Sequence, residues 1–316
     1  MRPVLDDHTV ETKIFREHDA ADLPAAVNKA ELVFEGFQLI TAQTSRGSIR
    51  LRTGGTGKPL LLLHGHPRTH MTWGKVADQL SSNYQLVCPD LPGFGQSYVP
   101  EDAHDSSLSS KREKANALVE LMRDLGHSSF CVVGHDRGSY AAFRMAMDHS
   151  TVIEKLVVID CIPILEHLER ADWRFARDWY HWFFFAQPDK PERAILADPD
   201  KWYGINPDTM GREAYEDLRR AIHDPSVIHG MIEDYRAGIH VDHLHDREDR
   251  EAGRKISCPT LCLWSMRDDL ERIYGDPVAI WRSWAEVVEG HGIESGHHIA
   301  EENPLALAGA IRQFIR

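Results

Sequence analysis

Apolar and polar positions along the chain fall into short runs with two alternating rhythms. Phe37 to Thr44 and Ser48 to Thr53 read as the strands of a hairpin that turns near Ser45-Arg46-Gly47. Pro59 to Leu63 is an unbroken apolar run ending in His64-Gly65-His66-Pro67. A helix is expected over Met71 to Leu80. A strand over Gln85 to Cys88 then runs into the turn-rich segment Pro89 to Gly95. In Lys111 to Leu125 the residues Ala117, Leu118, Leu121, Met122 and Leu125 recur at helical spacing, and Gly126 stops them. Phe130 to Val133 is another apolar strand with a helix-like segment behind it, and Leu156 to Ile159 is a strand ending at Asp160. Strands of this kind alternating with helices predict a mainly parallel sheet with helices on both faces, an α/β fold.

The rhythm breaks at Pro163. From there to about Arg254 the pattern is helical and rich in aromatic residues, among them Trp179, Trp182, Phe185 and Trp202. The strand–helix pattern resumes at Thr260 to Trp264. It continues through a helix near Pro277 to Trp284, a strand near Val287, the loop Glu294 to Glu302 and a last helix from Pro304. The expected organisation is therefore an N-terminal arm or short helix (1–33), an α/β core (34–162 and 255–316) and an inserted helical cap (163–254).

The centre of the pattern is Gly134-His135-Asp136-Arg137-Gly138, where an apolar strand meets a helix. A strand-to-helix turn flanked by glycines lifts its middle side chain above a sheet, as a nucleophile elbow does. Here that side chain is a carboxylate. A carboxylate is suited to displacing a leaving group from an sp3 carbon, such as a halide or an epoxide oxygen, and leaves an alkyl ester on the enzyme. The competing explanation is a plain turn in which Asp136 caps the helix that follows. An ester intermediate needs a base to activate water, and His297 in Ser295-Gly296-His297-His298 follows the last predicted strand. Asp160 and Asp268 each end a strand and are both candidates to orient that imidazole; local reading leaves the two open. The backbone N–H groups of His66 and Arg137 are candidates for an oxyanion hole. Arg137, a cation in a helix's first turn, is suited to keeping Asp136 ionised or to gripping a substrate carboxylate.

Composition narrows the partners. A formal net charge of −13 argues against nucleic acid and anionic membranes, and no apolar run reaches membrane-spanning length. Residues 1–23 lack the apolar core of a signal peptide, and the five cysteines read as buried reduced thiols, which together suggest a cytoplasmic setting. No metal or other cofactor is expected. His64 and His66 lack a third ligand at motif spacing, and the cluster His240, Asp242, His243 and His245 reads as solvated.

On Gly134 to Gly138, Pro89 to Gly95, Tyr180-His181-Trp182, Asp234 to Gly238 and Glu294 to His297, residues 35–316 resemble the fluoroacetate (haloacetate) dehalogenases of the α/β-hydrolase superfamily. The resemblance implies Asp136 as nucleophile, Asp160 rather than Asp268 as orienting acid, His297 as base, and a halide pocket of His181, Trp182 and Tyr235. It also implies a homodimer. Two positions depart from it. Tyr140 stands where those enzymes commonly carry a second clamp arginine, and His66 stands where they carry phenylalanine in H-G-F-P. Tyr140 lies one helical turn beyond Arg137 and is expected to reach the site with a single hydroxyl. The leading expectation is a dehalogenase for small 2-halocarboxylic acids. An epoxide hydrolase on the same scaffold is the alternative, and a non-catalytic ligand-binding relative the remote one.

Overall fold

The computed structural model describes residues 14–16, 33–101 and 106–316. Among the described residues nine strands form one sheet: β1 (Ile14–Arg16), β2 (Gln38–Thr44), β3 (Gly47–Gly55), β4 (Lys58–Leu63), β5 (Tyr84–Pro89), β6 (Phe130–His135), β7 (Ile153–Ile159), β8 (Thr260–Ser265) and β9 (Val288–Ile293). Their spatial order is β1-β2-β3-β5-β4-β6-β7-β8-β9. The pairs β1–β2, β2–β3 and β3–β5 are antiparallel, and every pair from β5 through β4 to β9 is parallel. The expected hairpin and strands are thus present, and the expected α/β fold with them. Within the stretch expected to be an arm or short helix, Ile14–Arg16 instead adds an edge strand beside β2. The remainder of 1–32 lies outside the described residues.

The parallel strands read as continuous apolar runs because both of their faces are covered. Leu60 to Leu63, Val132, Val133 and Leu156 to Ile159 are all fully buried. The helices Lys111–Asp124 and Arg137–Asp148 pack on one another, as do Gly74–Leu80 and Pro304–Ile315. The first of these begins at Ser110, whose hydroxyl accepts the N–H of Glu113 and so closes the helix start. The stretch expected to be one helix over Met71 to Leu80 splits into a 3-10 turn, His70–Trp73, and a helix, Gly74–Leu80.

Strand order fixes where a ligand can bind. The chain runs from β4 outward to β5, then returns to the other side of β4 as β6. The loops leaving the carboxyl ends of β4 and β6 therefore diverge, and a crevice opens between them at this switch point. Between β7 and β8 the chain is helical from Ile164 to Glu251, with one π-helical turn at Gly238–Asp242. This stretch is tied to the sheet's helices by buried ion pairs. Arg144 reaches Asp246 at 2.8 Å and Asp249 at 2.6 Å, while Lys111 and Lys114 each lie 2.9 Å from Asp234. Lys111 also reaches Asp242 at 3.3 Å, so Asp242 is a buried partner and not the solvated residue that its charged neighbourhood suggested.

Candidate active site

Asp136 sits at the turn between β6 and the helix Arg137–Asp148 with φ +49° and ψ −118°. A non-glycine residue there carries roughly 1–3 kcal/mol of strain, which the surrounding contacts must hold in place. Glycine is required on either side by close approach. A Cβ on Gly134 would lie 2.4 Å from the carbonyl oxygen of Gly138, and one on Gly138 would lie 2.4 Å from that of Leu63. Although Asp136 occupies the position before the helix, its carboxylate makes no capping bond. It accepts the N–H of His66 instead, at 2.7 Å, from the loop after β4. The capping explanation therefore fails on geometry. Arg137 opens the helix, so its N–H belongs to the first turn, where backbone donors have no helical partner.

Each following strand contributes one group at its carboxyl end. Asp160 follows β7, Asp268 lies beyond β8, and His297 lies beyond β9. The Nδ1 of His297 lies 2.8 Å from Asp268 Oδ2 and 3.5 Å from Asp160 Oδ2. Both candidate acids thus approach the same nitrogen: the shorter hydrogen bond is to Asp268, while the expected partner, Asp160, lies within ion-pair distance. Asp160 is buried and committed elsewhere, taking the backbone N–H of Ser265 at 2.7 Å and its hydroxyl at 2.5 Å. Burial disfavours a charged imidazole, but the carboxylates of Asp160 and Asp268 outweigh it and hold the His297 pKa well above its usual 6.5. His135 packs its ring 4.8 Å from that of His297, and burial pushes its own pKa down to about 3.

Asp136, Asp268 and His297 open onto one cavity of about 680 Å3, and His181, Trp182 and Tyr235 line it across from them. The Tyr235 ring lies 5.6 Å from that of His181 and 6.0 Å from that of Trp182. Among the described residues, none of these three side chains has a hydrogen-bond partner in the protein, so their donors face the cavity. Burial draws the His181 pKa down to about 4, leaving a neutral ring with one N–H.

The two remaining expected site residues lie behind this wall and do not line the cavity. Arg137 is 1% exposed; its Nε reaches Asp234 Oδ2 at 2.5 Å and its Nη2 the Asp234 carbonyl at 2.8 Å. Its guanidinium stacks 4.0 Å above the Tyr235 ring, and Nη1 alone has no partner among the described residues. Tyr140 does not present its hydroxyl to the site. That hydroxyl bonds His167 Nε2 at 2.9 Å, and His167 Nδ1 bonds the Tyr274 hydroxyl at 2.8 Å. Because the N–H of Ile162 also points at Nε2, that nitrogen is the acceptor and Tyr140 is the donor. Its one proton is spent, so it cannot stand in for a second arginine. Sequence reading missed Tyr203, which lies in no motif, and Ser265, whose role depends on a contact with a residue far along the chain.

A family model described as alpha/beta hydrolase fold matches residues 58–197. A fluoroacetate dehalogenase from Burkholderia sp is 35% identical over 292 residues, covering 90% of this chain and 95% of that protein. The chain belongs to the alpha/beta hydrolase family. Its similarity to fluoroacetate dehalogenases thus spans nearly the whole sequence, as the short motifs implied. A soluble epoxide hydrolase from Corynebacterium sp. (strain C12) is 30% identical, covering 80% of this chain and 88% of that one. Among solved structures, a putative epoxide hydrolase mutant from Pseudomonas aeruginosa with bound MFA matches with a TM-score of 0.83 and 39% identity. That match covers 90% of this chain and 97% of the other.

Proposed function

We propose that this hydrolase cleaves the carbon–halogen bond of a 2-halocarboxylic acid in two steps through an ester on Asp136. The observation that carries the reading is the Asp136 carboxylate itself. It declines to cap its own helix and faces three side-chain donors that lack protein partners. In the first step one Asp136 oxygen attacks the halogen-bearing carbon and the halide leaves with the bonding pair. The N–H of Trp182, the O–H of Tyr235 and the N–H of His181 solvate it as its charge develops. Arg137 stacks on Tyr235 from behind the wall and offers the site its positive charge; with Tyr140 committed to His167, no side-chain clamp closes on the substrate carboxylate.

In the second step His297 takes a proton from water, whose oxygen attacks the Asp136 carbonyl carbon. The oxygen already bonded to the His66 N–H becomes the oxyanion, and that N–H with the Arg137 N–H stabilises it. Asp268 holds the imidazolium directly, and the Asp160 charge supports it from 3.5 Å. Collapse expels the 2-hydroxy acid, which takes the imidazolium proton. The remaining proton leaves Asp136 as it returns to carboxylate.

The similarity to fluoroacetate dehalogenase supports a halogenated substrate. An epoxide is the rival substrate, favoured by the lost second arginine and by the epoxide hydrolase relative. A screen for halide and 2-hydroxy acid from haloacids, run beside one for diols from epoxides, decides between them. Halide release with inert epoxides supports the dehalogenase; diol formation without halide release overturns it.

A further inference from the structure

Asp268, which makes the shorter bond to His297, has an acidic neighbour. Asp269 stands before the helix Leu270–Tyr274, where an aspartate ordinarily caps, yet its carboxylate makes no capping bond. It accepts the indole N–H of Trp179 instead, at 2.7 Å. Arg272 reaches the same carboxylate at 3.5 Å and Asp178, beside Trp179, at 2.9 Å. At the end of the helix the Tyr274 hydroxyl lies 2.8 Å from His167 Nδ1. These contacts fasten the segment that carries Asp268 to the helical stretch above the sheet.

Trp179 joins the helices Trp173–Asp178 and His181–Phe185 and is held on both sides. Its N–H goes to the Phe175 carbonyl at 2.7 Å, and its carbonyl takes the N–H of Trp182 at 3.0 Å. Its ring lies 6.0 Å from that of Trp182. One residue thus touches a donor of the halide pocket and the turn that bears Asp268. The two adjacent carboxylates repel, and burial together with the Asp268 charge raises the Asp269 pKa. Either could turn toward one imidazole, but the indole draws Asp269 away and leaves Asp268 at 2.8 Å from it.

We propose that Trp179 is a positioning residue for ester hydrolysis: by holding the Asp269 carboxylate, its N–H keeps Asp268 turned to His297. This rests on the reading of His297 as the base of the second step. The first step does not use the Asp268–His297 bond, so the loss of Trp179 N–H separates the two steps.

Chloroacetate is the probe. In Trp179→Phe, which keeps a ring against Trp182 but has no N–H, first-turnover chloride release should stay within about twofold of wild type. Ester hydrolysis should slow by roughly tenfold, the worth of one hydrogen bond to a charged group, so that the ester on Asp136 accumulates in the intact mass. Asp269→Ala breaks the same bond from the other side and should do the same. In an Asp268→Asn background Trp179→Phe should slow hydrolysis no further, because one residue acts through the other. Equal slowing of both steps, or the same tenfold loss in the Asp268→Asn background, overturns the proposal. A readout without substrate separates this from failure of the two-step reading. The proton on His297 Nδ1, assigned by its loss in His297→Asn, resonates far downfield while bonded to a carboxylate. It should move upfield or vanish in Trp179→Phe and in Asp269→Ala, with the fold intact by circular dichroism. An unmoved resonance in both variants overturns the proposal whatever becomes of chloroacetate. A moved resonance with no chloride from wild type upholds the positioning contact and removes the nucleophile reading instead.

Discussion

At the residue scale the unusual feature is one imidazole between two carboxylates. Asp268 and Asp160 approach the same Nδ1 of His297 from different strand ends, at 2.8 and 3.5 Å. Their proximity raises the His297 pKa, which has a kinetic consequence because only the neutral ring can take a proton from water. The ester-forming step is independent of that proton, whereas ester hydrolysis rises with pH through a value above 6.5. In Asp268→Asn the limb of the pH–kcat profile should move to lower pH and kcat should fall by at least roughly tenfold. An unmoved limb would exclude Asp268 as the orienting group. Asp160→Asn should act differently. It leaves both Ser265 donors paired, since Oδ1 keeps the backbone N–H and the hydroxyl can give its proton to the Gly296 carbonyl at 2.7 Å, so a urea titration should show a loss below about 1 kcal/mol. The raised His297 pKa also bears on folding. Its pairing stabilises the fold in full below about pH 6.5 and is lost as pH rises through the folded value.

The same residues show what the sequence could reveal. Asp136 and His297 were legible because each combines a residue type with a fixed place in the strand–helix rhythm. Asp160 and Asp268 were both visible as strand ends, but the choice between them depends on where Ser265 turns one carboxylate. That is a tertiary contact with no local signature. Tyr140 was read onto the site because it shares a helix face with Arg137. Its actual partner, His167, comes from the helix Ile164–Glu169, and no local pattern brings the two together.

At the scale of elements, the helical stretch between β7 and β8 is held to the sheet's helices by charge as well as by apolar packing. The ordinary expectation for charged residues on a helix is solvent, which is why the pairing went unread. Arg144 is buried between Asp246 and Asp249 of the helix His243–Glu251, and the Asp234 carboxylate sits among Arg137, Lys111 and Lys114. Ion pairs like these add little over a well-packed apolar contact, but removing one side of a pair leaves a buried charge. Arg144→Met should therefore lose about 3–5 kcal/mol in urea unfolding. A loss below about 1 kcal/mol would mean that water reaches these carboxylates and that the anchoring is apolar.

At the scale of the whole molecule, a parallel sheet with a switch point between β4 and β6 gathers groups from five strand ends over one crevice. The helical stretch then roofs that crevice with aromatic donors. The alternation of strands and helices, the glycines around Asp136 and the break at Pro163 made this plan readable in advance. The edge strand Ile14–Arg16 was not, since three residues paired to β2 carry too little pattern of their own. In the proposed sequence the carboxylate attacks first and water second. His297→Asn tests it most directly, because it removes the base for the second step and leaves the first intact. Given a haloacid, the variant should retain one substrate fragment per chain on Asp136, seen by intact mass and peptide mapping. Wild type in 18O-labelled water should give an unlabelled hydroxyl in its first turnover, the oxygen coming from Asp136. A labelled hydroxyl in the first turnover, with no adduct on the variant, would show that water attacks the substrate directly and that Asp136 is not the nucleophile.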